Sequence, residues 1–293
     1  MHHLLIANRG EIAIRIARAA AEFGMQTTAI YAEDDAESLH IRRTNNAIQL
    51  PGVGPAAYLN IESVVAIARK CGADAIHPGY GFLSENAQFG SAVNAAGLTY
   101  IGPTPEALRT FGDKAKARAL AVEVDVPVVR GTEGPINLSG AREFFDSLGP
   151  KGAAMVKAVA GGGGRGMRPV FDAADLEEAI NRCQSEAESA FGDSRIYIEQ
   201  LVPAARHIEI QVAADRHGNV HILGDRDCSL QRRRQKIVEL APAPALSTKQ
   251  REAVWNFAAK ITKAANYEGL GTAEFLLGSD GTLAFIEFNA RLQ

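Results

Sequence analysis

The chain of 293 residues predicts an α/β half followed by an α+β half. Three observations carry this reading. Over roughly residues 1–110, short apolar strands alternate with amphipathic helices, the pattern of a parallel sheet covered by helices. From Asp113 onward the pattern changes to many short strands, two longer helices and hairpin turns at 217–219 and 278–281. The composition, 46% hydrophobic and 22% charged, is that of a globular domain with ample core.

Residues 3–7 read as a buried strand. The helix that follows places Ile12, Ile16, Ala19 and Phe23 on one stripe, with Glu11, Arg15, Arg18 and Glu22 opposite. TTAIY (27–31) is a second strand, residues 62–72 a helix stopped at Gly72, and ADAIH (73–77) a third strand. HPGYGFLSEN leads into another helix, and LTYIG is a fourth strand. The first turn, Asn8 to Ala13, has a single glycine, whereas a dinucleotide pyrophosphate needs close backbone approach at several points. That excludes a nicotinamide fingerprint and leaves the acidic run 33–35 as a solvated loop. Asp113 caps a helix running to about residue 122. VPVVRG, GAAMVKAVA, MRPVF, RIYIEQLV, HIEIQVAA, VHILGD, AEFLL and LAFIEF then read as strands, with helices near 174–190 and 248–265.

The charge balance excludes a nucleic-acid patch: 31 basic and 34 acidic residues leave a net charge of −3. Arg232, Arg233, Arg234 and Lys236 form a local anion site or a solvated face. Cys71, Cys183 and Cys228 are far apart and fit free thiols in a reducing compartment. The longest apolar runs are too short to span a membrane, and no signal or transit peptide is visible, so a cytoplasmic protein is expected.

Chemistry concentrates at three places. In VKAVAGGGGRGMRPV a glycine loop joins two strands; Pro169 argues against a following helix, and Met167 stands where a P-loop needs lysine. Such a hairpin is either a lid over a triphosphate, with Lys157 adding charge, or a mobile surface turn. In FIEFNARLQ, Glu287, Asn289 and Arg291 share one face. If 278–281 is a four-residue loop, Glu274 lies opposite Phe285 and meets Glu287 on a diagonal, unless a bulge breaks the register. Two carboxylates and an amide oxygen are hard ligands for Mg²⁺ or Mn²⁺, although a solvated polar face would show the same alternation. In RHIEIQV, His207, Glu209 and Gln211 form a third polar row.

Taken together, LLIANRGEIAIRI, HPGYGFLSEN, GDK (112–114), GGGGRGM, RHIEIQV, RDCSLQRRRQK, APA and FIEFNARLQ resemble the biotin carboxylase component of acyl-CoA and related biotin-dependent carboxylases, in the ATP-grasp superfamily. HPGYGFLSEN and RDCSLQRR point away from a carbamoyl-phosphate synthetase-like ligase, the alternative within the superfamily, and the ligand set points away from a catalytically silent module. The resemblance implies a Rossmann-like N-terminal (pre-ATP-grasp) domain over 1–112 and an ATP-grasp domain over 113–293, with a small lid subdomain at about 129–201. It implies that ATP and bicarbonate give carboxyphosphate and that the resulting CO₂ is captured by biotin on a carrier domain. It assigns Lys114 and Lys157 to the phosphates. Gly161, Gly162, Gly163, Gly164, Gly166 and Met167 fall to the lid, and Glu199, Gln200, Leu201 and Leu276 to the adenine end. His207 and Gln231 are assigned to the nucleotide, and Glu274, Glu287 and Asn289 to the metal. Lys236, Arg291 and Gln293 surround bicarbonate, and Tyr80 lies near the biotin ring. The implied partners are a biotin carboxyl carrier domain, a carboxyltransferase and a second copy in a homodimer. Arg234 departs from the family, which often has His there. The family pattern continues N-x-R-x-Q-V-E-H past Gln293 and includes a C-terminal subdomain. On that pattern these residues are expected to bind nucleotide weakly and carboxylate biotin poorly by themselves.

Overall fold

The computed structural model describes residues 1–132, 134–150, 152–159, 166–232 and 235–293. The first unit is a five-stranded parallel sheet of β1 (His3–Ile6), β2 (Gln26–Tyr31), β3 (Asn46–Gln49), β4 (Ala75–His77) and β5 (Thr99–Tyr100), in the order β3-β2-β1-β4-β5. Helices α1 (Gly10–Glu22), α2 (Gly54–Ala57), α3 (Ile61–Lys70), α4 (Ala87–Ala95) and α5 (Pro105–Phe111) accompany it.

Two expectations need correction here. The sequence suggested four strands, but β3 adds a fifth at the edge, where its mostly exposed residues leave no apolar signal. Phe23 is 83% exposed and not on the buried stripe, because α1 ends at Glu22 and the chain turns away through Gly24 at φ +69°.

Asp113 caps α6 (Lys114–Glu123), accepting from the amides of Ala115 and Lys116 at 3.0 and 3.2 Å. Residues 126–131 form no regular strand. They join the sheets through isolated bridges at Val128↔Phe285 and Gly131↔Glu199. A three-stranded antiparallel sheet follows, with β6 (Ala154–Ala158) between β7 (Met167–Val170) and β8 (Ile196–Gln200). α7 (Leu138–Ser147) and α8 (Leu176–Phe191) pack on it. α7 was not expected from the sequence; its buried Ala141 and Phe145 lie four apart, a short stripe diluted by Ser139, Gly140 and charged residues.

The largest sheet is antiparallel: β9 (Arg206–Ala214), β10 (Val220–Arg232), β11 (Gln235–Leu240), β12 (Gly269–Leu277) and β13 (Leu283–Asn289), ordered β11-β10-β9-β12-β13. The helix α9 (Thr248–Ala264) packs against it, started by a Ser247–Gln250 capping box. Ile208, Ile210 and Val212 are fully buried, so the opposite side of β9 carries the polar row. β10 runs on through RDCSLQR, which had not been read as strand; its far end is mostly exposed and polar.

One hydrophobic core joins the parallel unit to the antiparallel sheet. Phe111 stacks on Phe288 at 4.1 Å between ring centroids, and Tyr267 meets Phe288 edge-on at 4.9 Å. Among the described residues, no helix is long and apolar enough to cross a membrane.

Candidate active site

The site is built across adjacent strands. Glu209 of β9 lies directly opposite Glu274 of β12, which lies directly opposite Glu287 of β13. Three carboxylates therefore stand abreast on one face. The diagonal placement of Glu274 and Glu287, with Glu274 opposite Phe285, is corrected. Leu277 pairs with Leu283, so the loop has five residues, and a bulge between Phe285 and Glu287 moves Glu287 into line. Either change alone would shift the strand by one residue and turn its side chains over; together they restore the face.

Cations neutralise the row unevenly. Lys236, from β11, donates to Glu274 at 2.7 Å and contacts Glu209. It is a member of the basic cluster read as an anion site or solvated face, yet it turns inward onto carboxylates. His207 Nε2 lies 2.7 Å from Glu274 Oε2 and 3.5 Å from Glu209 Oε1. Arg226 donates to Glu209 at 2.8 Å and to Gln211 at 3.1 Å. Burial works against the Lys236 charge, but Glu274 and Glu209 outweigh it and hold the ammonium above its ordinary range. Burial likewise opposes ionisation of Glu274, and His207 and Lys236 overcome it, keeping that carboxyl below the usual range. Glu287 behaves in the opposite way. Enclosure by protein, then repulsion from Glu274, pushes it up, against the pull of Lys114, Lys157 and Lys236.

Glu287 has no cation within ion-pair distance among the described residues, whereas Glu209 and Glu274 have several. Asn289 donates to Glu274 at 2.6 Å and accepts from Arg291 at 3.3 Å. Glu274, under-neutralised Glu287 and the Asn289 amide thus form a hard-oxygen donor set that fits a divalent cation. Among the described residues, His207, Glu209 and Glu274 also bring ligand atoms within 4.8 Å of one another, but Lys236 and Arg226 already contact Glu209 there.

The other predicted residues surround this row. Gln231 pairs with Lys236 across the β10–β11 ribbon and shares a 3.1 Å contact with His207 Nδ1; Leu276 lies directly opposite His207. Lys114 opens α6, and burial depresses its pKa while Glu287 opposes that shift. Lys157 forms an ion pair with Glu199, each side chain 11% exposed. Glu199 therefore faces Lys157, and in the residues after it Gln200 N donates to Arg130 O and Leu201 N to Ala153 O. A cavity lined by Lys114, Val129, Tyr197, Glu199 and Ile286 lies beside them. Met167 pairs with Lys157 at the open end of the lid hairpin, and Gly166 adjoins it. Gly161, Gly162, Gly163, Gly164 and Arg234 lie outside the described residues.

Arg291 reaches Gln293 at 3.1 Å and Glu85 at 3.5 Å. Tyr80 is not gathered into the carboxylate row. It bonds to Glu11 and lines a separate cavity with Leu292 and Gln293. Arg226 and Glu85 received no role from sequence reasoning. Glu209 was visible only as part of an alternating row, with nothing to say which cations would face it.

An antiparallel sheet carrying a carboxylate row, beside a small three-stranded sheet and after a parallel-sheet unit, is the ATP-grasp architecture. Residues 113–293 match the family described as carbamoyl-phosphate synthase L chain, ATP binding domain, and residues 1–108 match biotin carboxylase, N-terminal domain. Pyruvate carboxylase of Schizosaccharomyces pombe is 48% identical over 99% of this chain, and human mitochondrial pyruvate carboxylase 46% over 99%. The chain spans 25% of the length of each. A biotin carboxylase complex from Campylobacter jejuni superposes with a TM-score of 0.96 at 42% identity, covering 99% of this chain and 65% of that one. The 2-oxoglutarate carboxylase biotin carboxylase domain dimer of Hydrogenobacter thermophilus, in complex with MgADP, ADP and bicarbonate, gives 0.95 at 40%, covering 99% and 64%. The chain belongs to the biotin carboxylase family, of which it carries the N-terminal and ATP-binding domains.

Proposed function

We propose that this chain carries the N-terminal and ATP-binding parts of the machinery for ATP-driven carboxylation of biotin from bicarbonate, the first half-reaction of a biotin-dependent carboxylase, with weak activity from these residues alone. The observation that carries the reading is the row Glu209–Glu274–Glu287, neutralised on one side by Lys236 and Arg226 and left open at Glu287. It lies in a chain whose family relatives include a complex with MgADP and bicarbonate.

Lys114 and Lys157 hold the triphosphate, with Gly166 and Met167 beside it on the β6–β7 pair. His207, Gln231, Glu199, Gln200, Leu201 and Leu276 frame the nucleoside end. Glu274, Glu287 and Asn289 hold Mg²⁺ or Mn²⁺, which when bound screens phosphate charge and orients the transferred phosphoryl group. Lys236 remains an ammonium, so it positions the bicarbonate anion and does not take its proton. Arg291 and Gln293 complete that anion pocket, and Tyr80 borders the biotin ring. The domains divide at 112/113, with the lid at about 129–201. Biotin arrives on a carrier domain, the carboxyl leaves through a carboxyltransferase, and the enzyme works in the cytoplasm as a homodimer. The sequence suggested an acyl-CoA as final acceptor; the pyruvate carboxylases among the relatives favour pyruvate.

The test is ADP release at saturating bicarbonate and Mg²⁺, with and without free biotin, by the protein expressed from its full reading frame. Biotin-stimulated release is expected. Ammonia-dependent formation of carbamoyl phosphate, with no response to biotin, would contradict the reading.

A further inference from the structure

The first turn of the parallel sheet and the acidic run after β2, dismissed as a cofactor site on sequence grounds, meet each other in the structure. Arg9 donates to Asp35 at 2.8 Å. Asp35 also accepts from the Tyr58 hydroxyl at 2.7 Å and from Ser38 at 3.1 Å. The acidic run is therefore not a solvated loop at Asp35. Tyr58, only 1% exposed, stacks on Phe82 with centroids 5.0 Å apart and planes at 13°. The Arg9 guanidinium lies 5.5 Å from the Tyr58 ring and 5.7 Å from that of Phe82.

Phe82 belongs to the HPGYGF loop and adopts φ +42°, a left-handed conformation that bulky residues avoid. Its neighbours Gly79 and Gly81 have φ +69° and +65°. Asn8 donates to the carbonyls of Pro78 at 2.6 Å and Tyr80 at 2.8 Å. A Cβ on Gly79 would lie 2.9 Å from Asn8 Nδ2, so the loop and the first turn are in direct contact. The loop is thus gripped twice, by Asn8 on its backbone and by Arg9, Asp35 and Tyr58 on Phe82. Tyr80 lies between the two grips and is itself 37% exposed, bonded only to Glu11 at its tip.

We propose that Arg9 and Asp35 are positioning residues for biotin: through Tyr58 and Phe82 they hold the strained HPGYGF loop so that Tyr80 presents one fixed surface to the biotin ring. This rests on the biotin carboxylase reading above. A residue that merely maintains the fold would affect every substrate. A residue that sets this loop affects the acceptor far more than the nucleotide, since the carboxylate row lies on a different sheet.

The experiment compares Arg9→Met, Arg9→Lys and Asp35→Asn with the unmodified protein, expressed from its full reading frame. It measures KM for free biotin, ATP and bicarbonate in ADP release, and amide exchange over 79–83. Loss of the guanidinium is expected to raise the biotin KM about tenfold while the ATP KM stays within about twofold, with partial recovery in Arg9→Lys. Exchange over 79–83 is expected to quicken. If Arg9→Met does not fold, Tyr58→Phe removes only the hydroxyl bonded to Asp35, and an increase of about threefold in the biotin KM is expected. An unchanged biotin KM, an equal loss for all substrates, or unchanged exchange overturns the proposal. An unmodified protein that shows no response to biotin overturns the functional reading, and exchange over 79–83 then still decides whether the grip exists.

Discussion

Glu274 accepts contacts from His207, Lys236 and Asn289 while facing Glu209 and Glu287 across neighbouring strands. Replacing Lys236 by Met leaves Glu209 and Glu274 buried with less compensation, and is predicted to cost about 3 kcal/mol in urea unfolding. His77 provides a pH-dependent counterpart. Burial pushes its pKa down to about 4, and its Nδ1 accepts from Gly79 N at 3.0 Å, which requires the unprotonated nitrogen. The unfolded chain therefore binds a proton near pH 6.5 that the folded chain refuses until about 4. Its contribution is complete above about 6.5 and lost on acidification through that window, on the order of 3 kcal/mol. Denaturation midpoints of the protein and of His77→Gln, measured from pH 7 to pH 4, should converge as the pH falls. Parallel curves would contradict the assignment.

Strand β10 is tied to α9 by one buried carboxylate. Asp225 accepts from Arg251 at 2.9 Å, Trp255 at 3.1 Å and Ala243 N at 2.7 Å. Asp225→Ala leaves those donors buried and is expected to lower stability by about 3 kcal/mol with an unchanged urea m-value. In the three-stranded sheet, just before β7, Gly166 has φ +64°, and a Cβ there would sit 2.8 Å from that of Ala158. Gly166→Ala should loosen the β6–β7 hairpin, seen as faster amide exchange at 154–158 with α9 unaffected. The parallel-sheet elements and the β9 face were legible because apolar periodicity was strong there. The far end of β10, β11 and β3 were not, since these largely exposed strands show no clean alternation of buried and polar residues. The face shared by Glu274 and Glu287 was read correctly although its register was not: loop length and bulge are backbone choices that alternation does not encode, and here they cancel. The facing cations of Glu209 were beyond reach because Lys236 and Arg226 arrive from strands paired only in the fold.

At the scale of the whole molecule, the stacking of Phe111 and Phe288 joins the parallel unit to the sheet that bears the carboxylates. Unfolding followed by tryptophan fluorescence at Trp255 and by far-ultraviolet circular dichroism is predicted to coincide in one transition. Phe288→Ala is expected to lower it by about 3–5 kcal/mol. The same coupling places the carboxylate-bearing unit next to the HPGYGFLSEN loop of the other, where Glu85 meets Arg291. The proposed function depends most on Glu274 and Glu287 acting together as the metal-bearing face for a nucleotide. Calorimetric titration of ADP into the chain, with and without Mg²⁺, and into Glu287→Gln, tests it most directly. Binding strengthened by Mg²⁺ in the unmodified chain, with that gain lost in Glu287→Gln, is the predicted result. An equal Mg²⁺ effect in both proteins, or none in either, would contradict it.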